Sequence, residues 1–189
     1  MRRACARVES SPIGPQVNTP KRTESPETAG TYHDGPVPPV ALLNAFNTNN
    51  RINQYLIDNL PQGAWNAKPT DGKGRTIAAI VAHMHNVRVM WLKAAKAEKI
   101  PEQLNRATVK PSQAMRALEA SREALSVVLC RALESDGRVK GFRPDAAGFL
   151  GYLIAHDAHH RGQITMLARQ TGHPLPQKAM FGMWEWGSR

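Results

Sequence analysis

Residues 148–170 read GFLGYLIAHDAHHRGQITMLARQ, and this stretch decides the fold. It contains no proline, spaces its apolar residues at helical intervals, and stops at Thr171 and Gly172, a pair suited to ending a helix. At about 100° per residue, His156 and His160 stand one turn apart on a single face, with Tyr152, Leu153, Gln163 and Leu167 alongside. That face is the apolar one, so both imidazoles are predicted to point into a core. Two inward histidines one turn apart can offer nitrogen ligands to one metal ion.

Three upstream segments share the same period. Leu42, Leu43, Phe46, Ile52, Leu56 and Leu60 mark a helix over about 40–60, closed by Pro61 and Gly63. Thr76 opens a second, TIAAIVAHMHNVRVMWLKAAKAE, running to about residue 98. Pro111 and Ser112 begin a third, whose stripe of Ala114, Leu118, Leu125, Leu129 and Ala132 ends before Asp136 and Gly137. No alternating run offers a sheet, so residues 39–189 are read as an all-α four-helix bundle. The tail HPLPQKAMFGMWEWGSR is too broken for another long helix. Its Met180, Phe181, Met183, Trp184 and Trp186 are expected to pack across the bundle.

On the second helix, His83 falls with Ile80, Val87 and Met90, a face read as inward. His85 falls nearly opposite, with Leu92 and Lys96, a face read as outward. A buried imidazole without a hydrogen-bond partner costs about 1–3 kcal/mol, and one shared metal satisfies three of them together. His83, His156 and His160 are therefore the candidate metal ligands. A single such histidine would more simply be a core residue bonded to a carbonyl or water. Three imidazoles with no carboxylate or thiolate leave coordination positions open for water and substrate. The donor set suits zinc, nickel, iron or manganese. His159 lies at the edge of the ligand stripe, and Asp157, one position off it, is expected to be an exposed charge. His33 and His173 fall outside the helices.

Composition narrows the functional classes. The hydrophobic fraction of 41% suffices for a packed core in a chain of 189 residues. No stretch reaches the roughly 18 apolar residues of a membrane span, and MRRACARVES has no export signal core, so a cytoplasmic protein is expected. Cys5 and Cys130 suggest neither a disulfide framework nor a thiolate site. The net charge of +10 raises nucleic acid, anionic lipid or an acidic ligand as partners. Yet Lys93, Lys96 and Lys99, and Arg138, Lys140 and Arg143, are not interleaved with the exposed aromatics of single-strand binders. They read as a solvated basic face. Residues 1–38 hold many Ser, Thr and Pro, one aromatic (Tyr32) and no apolar periodicity, so they are expected to form a disordered N-terminal extension. Arg2, Arg3 and Arg7 suggest a transit peptide, but Glu9, Glu24 and Glu27 oppose it, and an overlong start is an equal explanation.

Three motifs resemble the DinB superfamily of four-helix metal-binding proteins over about residues 40–189. They are TIAAIVAHMHNVRVMWL, with Trp91 eight residues after His83; HDAHHRGQI, similar to the family's HxxxHRGQ helix; and the ending MWEWG. The resemblance places the family's metal ligands on His83, His156 and His160, the set reached from helical phase. It implies a hydrolase or a thiol-dependent S-transferase acting on a small electrophile, with the metal activating water or a low-molecular-weight thiol such as bacillithiol or mycothiol. Arg161 and Gln163 match the family helix. Arg161 points off the ligand stripe and reads as structural; Gln163 is the candidate catalytic contact, touching a metal-held water. The carboxylate that some relatives place after the second-helix ligand has no counterpart, since Asn86 and Val87 stand there. HDAHH also approximates the HExxH zinc-protease helix, but aspartate is one methylene short and no third ligand follows on that side. The alternative to an enzyme is a metal-stabilised bundle that binds nucleic acid or another polyanion. The apolar tail and bundle faces make a homodimer plausible.

Overall fold

The computed structural model describes residues 39–189; the expected disordered extension, 1–38, lies outside the described residues. Four long helices make up the domain: α1 (Pro39–Asp58), α2 (Ile77–Ala94), α3 (Pro111–Leu133) and α4 (Ala146–Gln170), followed by a short α5 (Gln177–Gly182). Among the described residues there is no β-strand, only an isolated bridge between Arg138 and Asp145. Nor is any helix there long and apolar enough to cross a membrane.

The sequence signals for the helix ends are used as local chemistry predicts. Thr76 caps α2 by accepting a hydrogen bond from the Ala79 amide at 3.2 Å, and Asp145 caps α4 from the Gly148 amide at 2.7 Å. Pro111 opens α3, where its missing N–H costs nothing, and the Gln113 side chain accepts from the Lys110 amide at 2.9 Å. Gly172, at φ +82°, turns the chain out of α4.

Around the bundle, α1 and α2 lie diagonally opposite, each flanked by α3 and α4. The core divides into two apolar clusters. One contains Leu56, Ile77, Val81, Leu118 and Ile164; the other contains Phe46, Leu92, Leu125, Phe149 and Leu153. Between them each helix contributes polar side chains to one buried layer: Asn49, Asn50 and Asn53 from α1, His85 and Arg88 from α2, Ser121 from α3, and Asp157 from α4. This layer positions the site.

Two expectations for α2 are corrected. His85, read as outward, is fully buried, and Met90, read as inward, is 48% exposed. Helix α2 packs against α3 and α4 and is also covered by the chain that follows it. His85 Nε2 donates to the Glu102 carbonyl at 2.8 Å, its Nδ1 lies 3.2 Å from Ser121 Oγ, and Asn86 pairs with both backbone groups of Leu104. A helix apolar on nearly every side gives its wheel no single inward direction. The tail follows expectation only in part. Met183 packs against the first apolar cluster and Ala179 and Gly182 dock, whereas Phe181 and Trp184 stay 63% and 79% exposed. Gly182 lies against Tyr55, where a Cβ would collide, and the Arg189 guanidinium sits 3.7 Å from the centre of the Tyr55 ring.

Candidate metal centre

Helix α2 supplies His83, and α4, its neighbour in the bundle, supplies His156 and His160. One ligand nitrogen from each lies within 4.8 Å of the others, and among the described residues no carboxylate or thiol joins them. The rings of His83 and His160 meet edge to face at 4.8 Å, and those of His156 and His160 at 4.5 Å. His160 is buried while the other two are half-buried, so the cluster opens toward solvent on one side.

Proton placement decides whether these nitrogens suit a metal. His160 Nδ1 lies 2.8 Å from Gln163 Oε1, which accepts its proton and leaves Nε2 with a free lone pair. That Nε2 faces His156 Nε2 at 3.2 Å. A proton on His156 Nε2 would bridge them, but it would turn the Nδ1 lone pair toward the Asp157 carboxylate, 3.9 Å away. The other tautomer relieves that contact and leaves two Nε2 lone pairs facing each other, an arrangement that a cation relieves. Two nitrogens each about 2.1 Å from one ion sit roughly 3.0–3.4 Å apart, so the observed spacing fits. Burial, then the positive charges of Arg75, His160 and His156, push the His83 pKa down to about 4, and burial likewise lowers that of His160. Neutral imidazole is the metal-binding form.

Asp157, expected to be exposed, is 1% exposed and paired with Arg88 at 2.7 Å. Asn49 and Asn53 donate to the same carboxylate oxygen at 2.7 and 2.8 Å. Burial alone would raise its pKa; the Arg88 guanidinium outweighs it and holds the carboxyl well below the usual range. Arg161 keeps its expected structural place, donating to Asn49 and Asn53. The available signal for this network was a cluster of asparagines in mid-helix, Asn47, Asn49, Asn50 and Asn53, poor helix formers that need partners when buried. Gln163 does not present a free amide: Oε1 is held by His160, and its NH2 faces His159 Nε2 at 3.0 Å. Trp91 packs edge-on to Phe149 and Tyr152, and Tyr152 stacks on His156, so the motif tryptophan supports the ligand's apolar wall.

A cavity of about 480 Å³ opens beside His160, lined also by Arg75, Ile80, Gln163, Met166 and Leu167. A larger groove of about 660 Å³ lies between α3 and residues 97–101, and no histidine among the described residues lines it.

Fold and site together define an all-α bundle with a three-histidine cluster of metal-binding geometry between two of its helices. The chain belongs to the DinB family, whose sequence profile matches residues 31–186. The crystal structure of a DinB-like protein from Bacillus cereus ATCC 10987 superposes with a TM-score of 0.53, covering 72% of this chain and 95% of the other at 23% identity. At that identity the likeness shows the fold. No curated protein matches the chain.

Proposed function

We propose that this protein is a cytoplasmic metal-dependent enzyme in which His83, His156 and His160 hold one divalent ion, and a thiol or a water becomes the nucleophile for S-transfer to, or hydrolysis of, a small electrophile. The observation that carries the reading is the 3.2 Å approach of His156 Nε2 and His160 Nε2, with His83 in the same cluster and a cavity alongside. An ion held there supplies Lewis acidity, lowering the pKa of a coordinated thiol or water toward neutrality.

The chain's own residues supply the rest. Gln163 keeps the proton on His160 Nδ1 and so turns Nε2 toward the cluster. The Arg88–Asp157 pair ties α2 to α4, the two helices whose spacing sets the distance of His83 from the other two ligands. No side-chain carboxylate among the described residues stands in the cluster to act as a general base, which favours activation of the nucleophile by coordination.

Elemental analysis of protein purified without added metal, with His83→Ala alongside, tests the proposal. A divalent ion is expected in the wild type and not in the variant, with helicity unchanged. A thiol-dependent conjugation or hydrolysis, screened with small thiols and electrophiles, should be lost with it. Full metal occupancy in His83→Ala would sink the assignment.

A further inference from the structure

The cavity beside His160 carries positive charge that the cluster itself does not call for. Arg75, the residue before the Thr76 cap, lines it and is exposed. It makes no ion pair among the described residues. No acidic residue among the described residues lines the cavity, and Asp157 is already neutralised by Arg88. An unpaired guanidinium group at a concave site focuses a positive field outward, and a divalent ion with three neutral ligands adds to it. Part of the lining is apolar, with Ile80 and Leu167 buried and Met166 half-exposed. A guanidinium fork matches the paired oxygens of a carboxylate or phosphoryl group.

We propose that the cavity is a subsite for a small organic anion, its carboxylate or phosphoryl group held by Arg75 and its apolar part lying on Ile80, Met166 and Leu167. The anion would then carry its reacting atom toward the three histidines. That orientation rests on the function proposed above; the affinity for an anion does not.

The test is calorimetric titration of the full chain with butanoate and butylphosphonate, each compared with uncharged butanamide, on metal-free protein and on zinc-loaded protein. In metal-free protein the anions should bind about tenfold or more tightly than butanamide. Arg75→Gln should remove about tenfold of that advantage, and Arg75→Lys should keep part of it. The tighter anion identifies the group that Arg75 accepts. Circular dichroism checks that these exposed substitutions leave the bundle intact. The subsite is overturned by equal binding of anion and amide, by no binding of either, or by binding that needs zinc and is unchanged in Arg75→Gln. Failure of the metal reading would show separately, as protein that takes up no zinc, and leaves the metal-free comparison intact.

Discussion

Arg88 on α2 and Asp157 on α4 meet at 2.7 Å with both side chains almost fully sealed from water. Removing one partner of such a pair leaves a buried charge uncompensated, at a cost of about 3–5 kcal/mol. Asp157→Ala and Arg88→Leu are each expected to lower the unfolding free energy by that amount in urea titrations, whereas the double replacement should recover part of the loss. A double variant no better than the worse single one would contradict the pairing.

The same pair sets an acid limit. Asp157 has a folded-state pKa below its unfolded value, so its contribution is complete above about pH 4, the unfolded carboxyl range, and drains away as pH falls toward the folded value. Urea midpoints measured below pH 4 should therefore fall steeply in the wild type. They should fall less in Asp157→Asn, which starts lower.

His83 shifts in the same direction with the opposite charge logic. Its folded pKa of about 4 lies below the unfolded value near 6.5, so the unfolded chain takes up the proton first. Stability should decline as pH falls from 6.5 to 4, and NMR titration of the metal-free protein should place the His83 midpoint near 4. A midpoint above 6 would mean that the ring is solvated and free of its cationic neighbours.

Gln163 acts on the cluster through His160. Gln163→Leu removes the acceptor that fixes the His160 tautomer and is expected to weaken metal affinity about 10–100-fold, the usual effect of losing such a partner. Competition with a chromogenic chelator reads this directly. Gln163→Glu should retain or strengthen binding, because a carboxylate accepts the same proton.

Chelation should lower the melting temperature without unfolding the bundle. An ion at about 100 times its dissociation constant stabilises by about 2.7 kcal/mol, or roughly 5–10 °C for a domain of this size. A domain that loses its helical circular dichroism on chelation would show that the ion holds the fold together.

How much of this the sequence disclosed depends on which helix is considered. On α4, residues on both sides of the histidine pair are apolar, so helical phase alone placed His156 and His160 together. On α2 the phase failed for His85 because its partners, Glu102 and Ser121, lie on other segments that no wheel of α2 contains. His83 survived the same uncertainty because a rim position at the edge of the core satisfies either phase. Asp157 was misplaced for a different reason: its partners, Asn49, Asn53 and Arg88, come from two other helices. Periodicity reports how a helix faces a core, not whether a polar core layer awaits it. The exposure of Phe181 and Trp184 was hidden too, because apolar composition records a cost of solvation and not the presence of a partner to relieve it.

The buried polar layer has one further consequence. Because α2 and α4 are already fastened by Arg88 and Asp157, His83 would be held beside His156 and His160 before any ion arrives, and an ion could leave without melting the helices. Occupancy would then follow ion availability as well as the donor set. The ion that accompanies the purified protein would record the host's metal supply, so metal identity should be settled by competition among ions at buffered free concentrations.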